Sequence, residues 1–160
     1  MADWAIRAAR REDAEGFVRA HEAAWDAAGV VEQRLSDLVP FEQRIRAFED
    51  GLTKVGNDAQ VWIAEREEQI IGLVTCTCER GTAVLRDLYV VPEAWGSGVA
   101  AALHETALGW MRNRADEALL WVGEPNARAR RFYERKGWRA DGERRASSLG
   151  PPEIRYRLPL

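Results

Sequence analysis

Along the first third of the chain, apolar positions recur three and four residues apart. In REDAEGFVRAHEAAWDAA (11–28) they fall at 14, 17, 18, 24, 25 and 28, with His21 on the same stripe. That period predicts an amphipathic helix. A second helix is predicted over 40–51, opened by Pro40 and closed by Gly51, since proline suits a first turn and glycine an exit. A short strand over 4–9 precedes both. Beyond residue 58 the pattern turns β-rich: AQVWIAE (59–65), QIIGLVTCTCE (69–79) and AVLRDLYVV (83–91), parted by the polar turns REE and RGT. These read as hairpin-connected strands.

Helical spacing returns over 99–113, rich in Ala and Leu, and over 126–137, from Asn126 as N-cap to Gly137 at the exit. Strands are expected at 118–123, 137–142 and 153–160. The order is β-α-α-β-β-β-α-β-α-β-β. Hairpins followed by β-α-β crossovers predict a mixed α/β fold: a twisted sheet of about seven strands with helices on both faces.

With 160 residues, 46% of them hydrophobic and 31% charged, the chain reads as one soluble globular domain over 1–160. Its longest apolar run, IIGLVTC (70–76), is far short of the roughly 20 residues that span a bilayer. The charged N-terminus lacks the apolar core of a signal peptide. A cytoplasmic protein with no membrane partner is therefore expected. Cys76 and Cys78 share a strand face and have no second pair at zinc-ligand spacing, so reduced buried thiols and no metal are expected. Residues 126–160 carry ten Lys/Arg against four Asp/Glu, while the first 125 are acidic. The basic third suits an anionic ligand or a solvated face. The tryptophans do not alternate with basic residues, so no nucleic-acid partner is expected.

The stretch VVPEAWGSGVAAALH (90–104) runs from strand through proline and two glycines into helix. The first N–H groups of a helix have no internal partner and sit at the positive end of its dipole, which suits a phosphate. Gly96 and Gly98 remove side chains that would hold a diphosphate away, or serve only to allow positive φ. Gly96 to Ala101 also fits the dinucleotide fingerprint G-x-G-x-x-A, with Glu124 after the next strand as a ribose-binding carboxylate. Against it stand the PEAW insertion before the glycines and the lack of room for a second mononucleotide half. No G-x-x-x-x-G-K-[ST] is present.

A second motif changes the picture. LWVGEPNARARRFYERKGW (120–138) places Asn126, Ala129, Phe132, Tyr133, Gly137 and Trp138 after a strand. Leu88, Tyr89, Val90, Pro92 and then Trp95 to Ala100 precede it. Both stretches, in this order, resemble the GNAT superfamily of N-acetyltransferases, and the likeness covers nearly the whole chain. One departure is clear: Trp95 stands where the family's phosphate turn opens with Arg or Gln.

The resemblance implies that amides of Gly96, Ser97, Gly98, Val99 and Ala100 hold the diphosphate of acetyl-CoA as co-substrate. It implies further that Leu88, Tyr89 and Val90 pair with the pantetheine arm as an added strand would. Asn126 would reach the pantetheine, cap its helix, or do both. Arg130 or Arg131 would meet the 3′-phosphate, or lie solvated. Trp95 would cover the ligand or pack on the fourth strand. Family chemistry is direct attack of an amine on the thioester, with no acyl-enzyme. Tyr133 is the candidate acid for the departing sulfur.

A general base is harder to find. Many relatives place Glu on the fourth strand, where this chain has Val84. Asp87 is the candidate, although strand parity sets it on the opposite face from residue 84 unless a bulge intervenes. His21, Glu22 and Asp26 are candidates for lining the acceptor site, and His104 reads as structural. The expected function is an N-acetyltransferase acting on a primary amine of a small molecule or peptide, with a homodimer possible. The alternative is an acyl-CoA-binding sensor of the same fold that transfers nothing.

Overall fold

The computed structural model describes residues 1–56 and 58–160. Its elements are β1 (Ala5–Ala8), α1 (Ala14–Ala28), α2 (Leu35–Leu38), α3 (Phe41–Thr53), β2 (Ala59–Arg66), β3 (Gln69–Glu79), β4 (Thr82–Val90), α4 (Val99–Arg112), β5 (Glu117–Gly123), α5 (Ala127–Arg135), β6 (Arg139–Arg145) and β7 (Glu153–Pro159). Short 3₁₀ turns at Arg11–Asp13 and Pro92–Ala94 lead toward α1 and α4. The seven strands form one sheet in the order β1-β2-β3-β4-β5-β7-β6. Only β4 and β5 run parallel; every other pair is antiparallel. The expected mixed sheet with helices on both faces is what the chain builds.

Strand alternation sorts the core into two layers. On one face Val61, Ile63 and Leu73 meet Phe17 and Val18 of α1 and Phe48 of α3. On the other, Val74, Cys76 and Leu85 meet Leu103, Ala107 and Met111 of α4, joined by Tyr133 and Trp138. Burying a side chain such as Leu103 or Met111 contributes roughly 1.5–3 kcal/mol. The helix α4 lies close on the sheet because β3 offers Gly72 beneath it. A Cβ there would stand 2.9 Å from Leu103 and 3.0 Å from Val99.

Two expectations need correction. The strand forecast for 137–142 begins two residues later and runs to Arg145. Gly142, at φ +91°, makes a bulge within β6 rather than ending it. The one-turn α2 was not foreseen; four residues are too few for a periodic signal. Its backbone is tied to α1, where the Asp26 carboxylate accepts from Leu35 N–H at 2.9 Å.

Candidate active site

The strands β4 and β5 pair over just three positions, Ala83↔Ala118, Val84↔Leu119 and Leu85↔Leu120. Beyond them each strand keeps its outer partner: Leu88↔Val74 and Val90↔Gly72 on one side, Trp121↔Arg155 and Gly123↔Glu153 on the other. Their facing edges come apart and leave a gap. The cause is a bulge in β4. Cys76 pairs with Leu85 but Thr75 pairs with Asp87, so Arg86 has no partner of its own. An extra residue bends its strand and increases local twist, which turns β4 away from β5.

Two cavities meet at this gap. One, about 610 Å³, lies between the glycine turn and α5, with Gly96, Gly98, Ala100, Arg128 and Phe132 in its wall. The other, about 590 Å³, lies toward α1 and the β6–β7 loop, with His21, Trp25, Asp87, Trp121 and Glu153 in its wall. Leu88, Tyr89, Asn126, Ala129 and Tyr133 line both.

The glycine turn presents donors to the first cavity. Gly98, at φ +89°, precedes the helix α4. Among the described residues, the amides of Gly96, Gly98, Val99 and Ala100 have no acceptor, whereas Ser97 N–H is spent on Ala94 O at 3.3 Å. Of these unbonded amides, those of Gly96, Gly98 and Ala100 belong to residues that line the cavity, whereas Val99 is buried behind them. Trp95 packs on the fourth strand, one of the two alternatives expected of it. Its Nε1 donates to Val90 O of β4 at 2.8 Å, and its ring still borders the cavity, 40% exposed. Val90 O is therefore already engaged. Tyr89 lies in register with Leu73, two residues before Val91, whose N–H donates to Ile71 O. The backbone groups of Tyr89 therefore turn to β3, and Leu88 is the freer position on the gap-facing edge of β4.

On α5, the Asn126 side chain caps the helix by accepting from Ala129 N–H at 3.1 Å. The residue itself lines both cavities. Tyr133 sits two turns on, buried against Phe132 and Trp138 with ring centroids 5.4 and 6.1 Å away. Burial, and then the nearby Asp87 charge, push the phenol well above its ordinary range. It therefore stays protonated and able to donate at neutral pH. Arg130 turns elsewhere, bonded to Glu124 O at 2.9 Å and Tyr156 Oη at 3.2 Å, and lines neither cavity. Arg131 is exposed and lines neither. Arg128, two residues before Arg130 and three before Arg131, borders the first cavity. A single-letter reading had no signal to separate three arginines in RARR.

On the acceptor side, Asp87 takes the Thr75 hydroxyl across the ladder. The bulge returns Asp87 to the face of Val84, because their partners Thr75 and Thr77 are two apart on β3. His21 lines the same cavity, its ring 4.5 Å from that of Tyr89. Burial pushes its imidazole below the ordinary value, against the opposing pull of Asp87. Its Nε2 has no protein partner among the described residues. Glu22 and Asp26 are otherwise occupied, Glu22 holding Arg44 at 2.8 Å and Asp26 holding Leu35 N–H. Glu124 pairs with Arg144 at 2.5 Å.

The cysteines are free and buried, and neither lines a cavity. Burial pushes the Cys76 thiol up to about 12, which leaves almost no nucleophilic thiolate at neutral pH. His104 is wholly buried, its Nε2 accepting from Trp138 Nε1 at 2.9 Å. That bond ties α4 to the residues after α5. Among the described residues, no cluster of three or more His, Cys, Asp or Glu is placed to hold a metal ion. No helix there is long and apolar enough to cross a membrane.

A parallel strand pair that separates, an amide-rich turn at one end and a buried phenol at the seam together form a cleft with two cavities meeting at its centre. Comparison with known proteins names the class. A model of the Acetyltransferase (GNAT) family matches residues 17–138. An uncharacterized N-acetyltransferase of Archaeoglobus fulgidus is 31% identical over 137 residues, covering 80% of this chain and 88% of that protein. A peptidyl-lysine N-acetyltransferase of Escherichia coli is 28% identical, covering 92% of this chain and 90% of that one. Among solved structures, the PaiA N-acetyltransferase of Thermoplasma acidophilum, in complex with coenzyme A, shares the fold. Its TM-score is 0.80 at 18% identity, over 98% of this chain and 99% of that one. The chain belongs to the GNAT family of acetyltransferases and is an acyltransferase.

Proposed function

We propose that this chain binds acetyl-CoA in the β4–β5 gap and passes the acetyl group directly to a primary amine entering from the opposite side. The observation that carries the reading is that Tyr133 lines both cavities. A thioester reaching the seam from the glycine turn and an amine reaching it from α1 would meet beside the phenol. A related fold holding coenzyme A supports the co-substrate.

In this reading the amides of Gly96, Gly98 and Ala100 hold the diphosphate. The gap-facing backbone of Leu88, with the N–H of Val90, pairs with the amides of the pantetheine arm. Fixing both reactants in one gap supplies much of the rate, since well-oriented reactants gain roughly 7–11 kcal/mol. As the tetrahedral intermediate collapses, the carbon–sulfur bond breaks and its electron pair goes to sulfur. Tyr133 donates a hydrogen bond to that thiolate. A thiolate whose thiol has a pKa of about 8.5 is a weaker base than even an ordinary phenolate, whose phenol has a pKa near 10. Raising the phenol further makes complete transfer less favourable, so a strong hydrogen bond is the operative effect.

The amine must lose a proton. For an ordinary lysine-like amine this costs roughly 4–5 kcal/mol at pH 7. Asp87 attracts the ammonium, and its carboxylate, with the neutral His21 beside the same cavity, takes the proton toward solvent. The cavity sets Asp87 and Glu153 against Arg86 and Arg145, so the acidity of the first 125 residues is not concentrated here. A peptidyl lysine, as named for the Escherichia coli relative, belongs in the test panel beside small amines.

The test is calorimetry with acetyl-CoA, followed by coenzyme A release in the presence of amines. Binding with turnover on at least one amine is expected. Absence of binding would sink the reading, and binding without turnover on any amine would leave only a sensor.

A further inference from the structure

The phosphate turn of this chain lacks a polar side chain at its first position, and the fold places a cation there from another element. The Trp95 ring is pinned to the end of β4 by its bond to Val90 O. On the face of that ring lies the Arg128 guanidinium of α5, its carbon 3.4 Å from the ring centroid. Both side chains border the cavity that Gly96, Gly98 and Ala100 also line.

Arg128 is not used up internally. Arg144, Arg145, Arg155 and Arg157 of the same basic segment are each paired with a carboxylate. Among the described residues, Arg128 has no carboxylate within ion-pairing distance. Stacking on an indole is favourable for a guanidinium and leaves the N–H fork free at the edge of the guanidinium's own plane. A side chain already confined to one orientation loses less freedom when it binds, and a guanidinium matches two phosphate oxygens at once.

We infer that Arg128, held on the indole of Trp95, is the cation that grips the diphosphate of the acyl-CoA co-substrate. Trp95 is then a positioning residue acting through Arg128. The inference rests on the acyl-CoA reading above and adds the residue that compensates for this chain's departure from the family's turn. Arg135 supplies an internal comparison: it borders the same cavity and carries the same charge, but among the described residues it is stacked on no aromatic ring.

The experiment is calorimetric titration of coenzyme A, and of dephospho-coenzyme A, which lacks the 3′-phosphate but keeps the diphosphate. The proteins are wild type, Arg128→Ala, Arg128→Lys, Arg135→Ala, Trp95→Ala and the Trp95→Ala/Arg128→Ala double variant, each checked for an unchanged melting temperature. Arg128→Ala should weaken both ligands about tenfold or more and flatten the salt dependence of binding, since a charge-assisted contact is lost. Arg128→Lys should recover part of that affinity, and Arg135→Ala should cost less than about threefold, the share of a screened, unpositioned charge. Trp95→Ala should weaken binding severalfold alone and add nothing to Arg128→Ala, a non-additivity that a merely structural tryptophan would not give. The inference is overturned if Arg128→Ala binds like wild type, if Arg135→Ala costs as much, or if the loss spares dephospho-coenzyme A. Failure of wild type to bind either ligand is a different result, and sinks the acyl-CoA reading itself.

Discussion

The Thr75 hydroxyl donates to the Asp87 carboxylate across the β3–β4 ladder, at the step where the register slips. That slip moves Asp87 onto the face of Val84 and opens the gap between β4 and β5. One local irregularity thus makes the cleft and sets a carboxylate beside it.

If Asp87 attracts the incoming amine and helps take its proton, Asp87→Asn should lower kcat about tenfold or more, within the usual range for a lost acid–base group. Affinity for coenzyme A, bound on the other side of the seam, should hold. Thr75→Val should cost less, since it loosens the carboxylate without removing it. Steady-state kinetics beside calorimetry check this; a parallel loss of coenzyme A affinity would count against the assignment.

Tyr133→Phe removes one oxygen from a buried ring and leaves its packing on Phe132 and Trp138. The expected result is kcat reduced about tenfold or more, as for other general acids, with coenzyme A affinity and melting temperature little changed. Unchanged turnover would take Tyr133 out of the chemistry.

Gly72 lets α4 lie close on β3. In Gly72→Ala the added carbon meets two branched side chains and, at 3.3 Å, the carbonyl of Tyr89. Overpacking of this kind costs about 1–3 kcal/mol, to be read as a lowered denaturation midpoint. Because α4 begins at the phosphate turn, weaker binding of coenzyme A should accompany the stability loss.

His104 predicts the direction of a pH effect on stability. Burial pushes its imidazole below 6.5, with Glu105 pulling the other way and Lys136 adding to the depression. An unfolded histidine near 6.5 therefore takes up a proton at a pH where the folded one does not. Stability is fully present above that value and falls as the pH drops below it, by up to about 1.4 kcal/mol per pH unit for one group. His104→Gln keeps an acceptor for Trp138 and should lose less stability between pH 6.5 and 5 than wild type. Equal slopes in denaturant unfolding would contradict the assignment.

Much of this was legible in the chain itself. Apolar period marked the long elements, and the glycine turn and the Asn126–Tyr133 spacing marked elements that line the cleft. Such signals are local, set by backbone freedom, capping and which face a residue takes. What tertiary structure alone decided is where partners from distant segments meet. The β4 bulge leaves no mark in AVLRDLYVV, because an unpaired Arg86 is defined by β3, not by its own neighbours. Of the arginines in RARR, Arg128 faces the cavity and Arg130 faces Tyr156, a choice made by packing of α5 on the sheet. Trp95 read as an anomaly in sequence; its meaning comes from Val90 behind it and Arg128 above it. Sequence fixes which groups are available, and the three-dimensional fold fixes which of them share a cleft, because electrostatic and hydrogen-bond reach extends only a few ångströms.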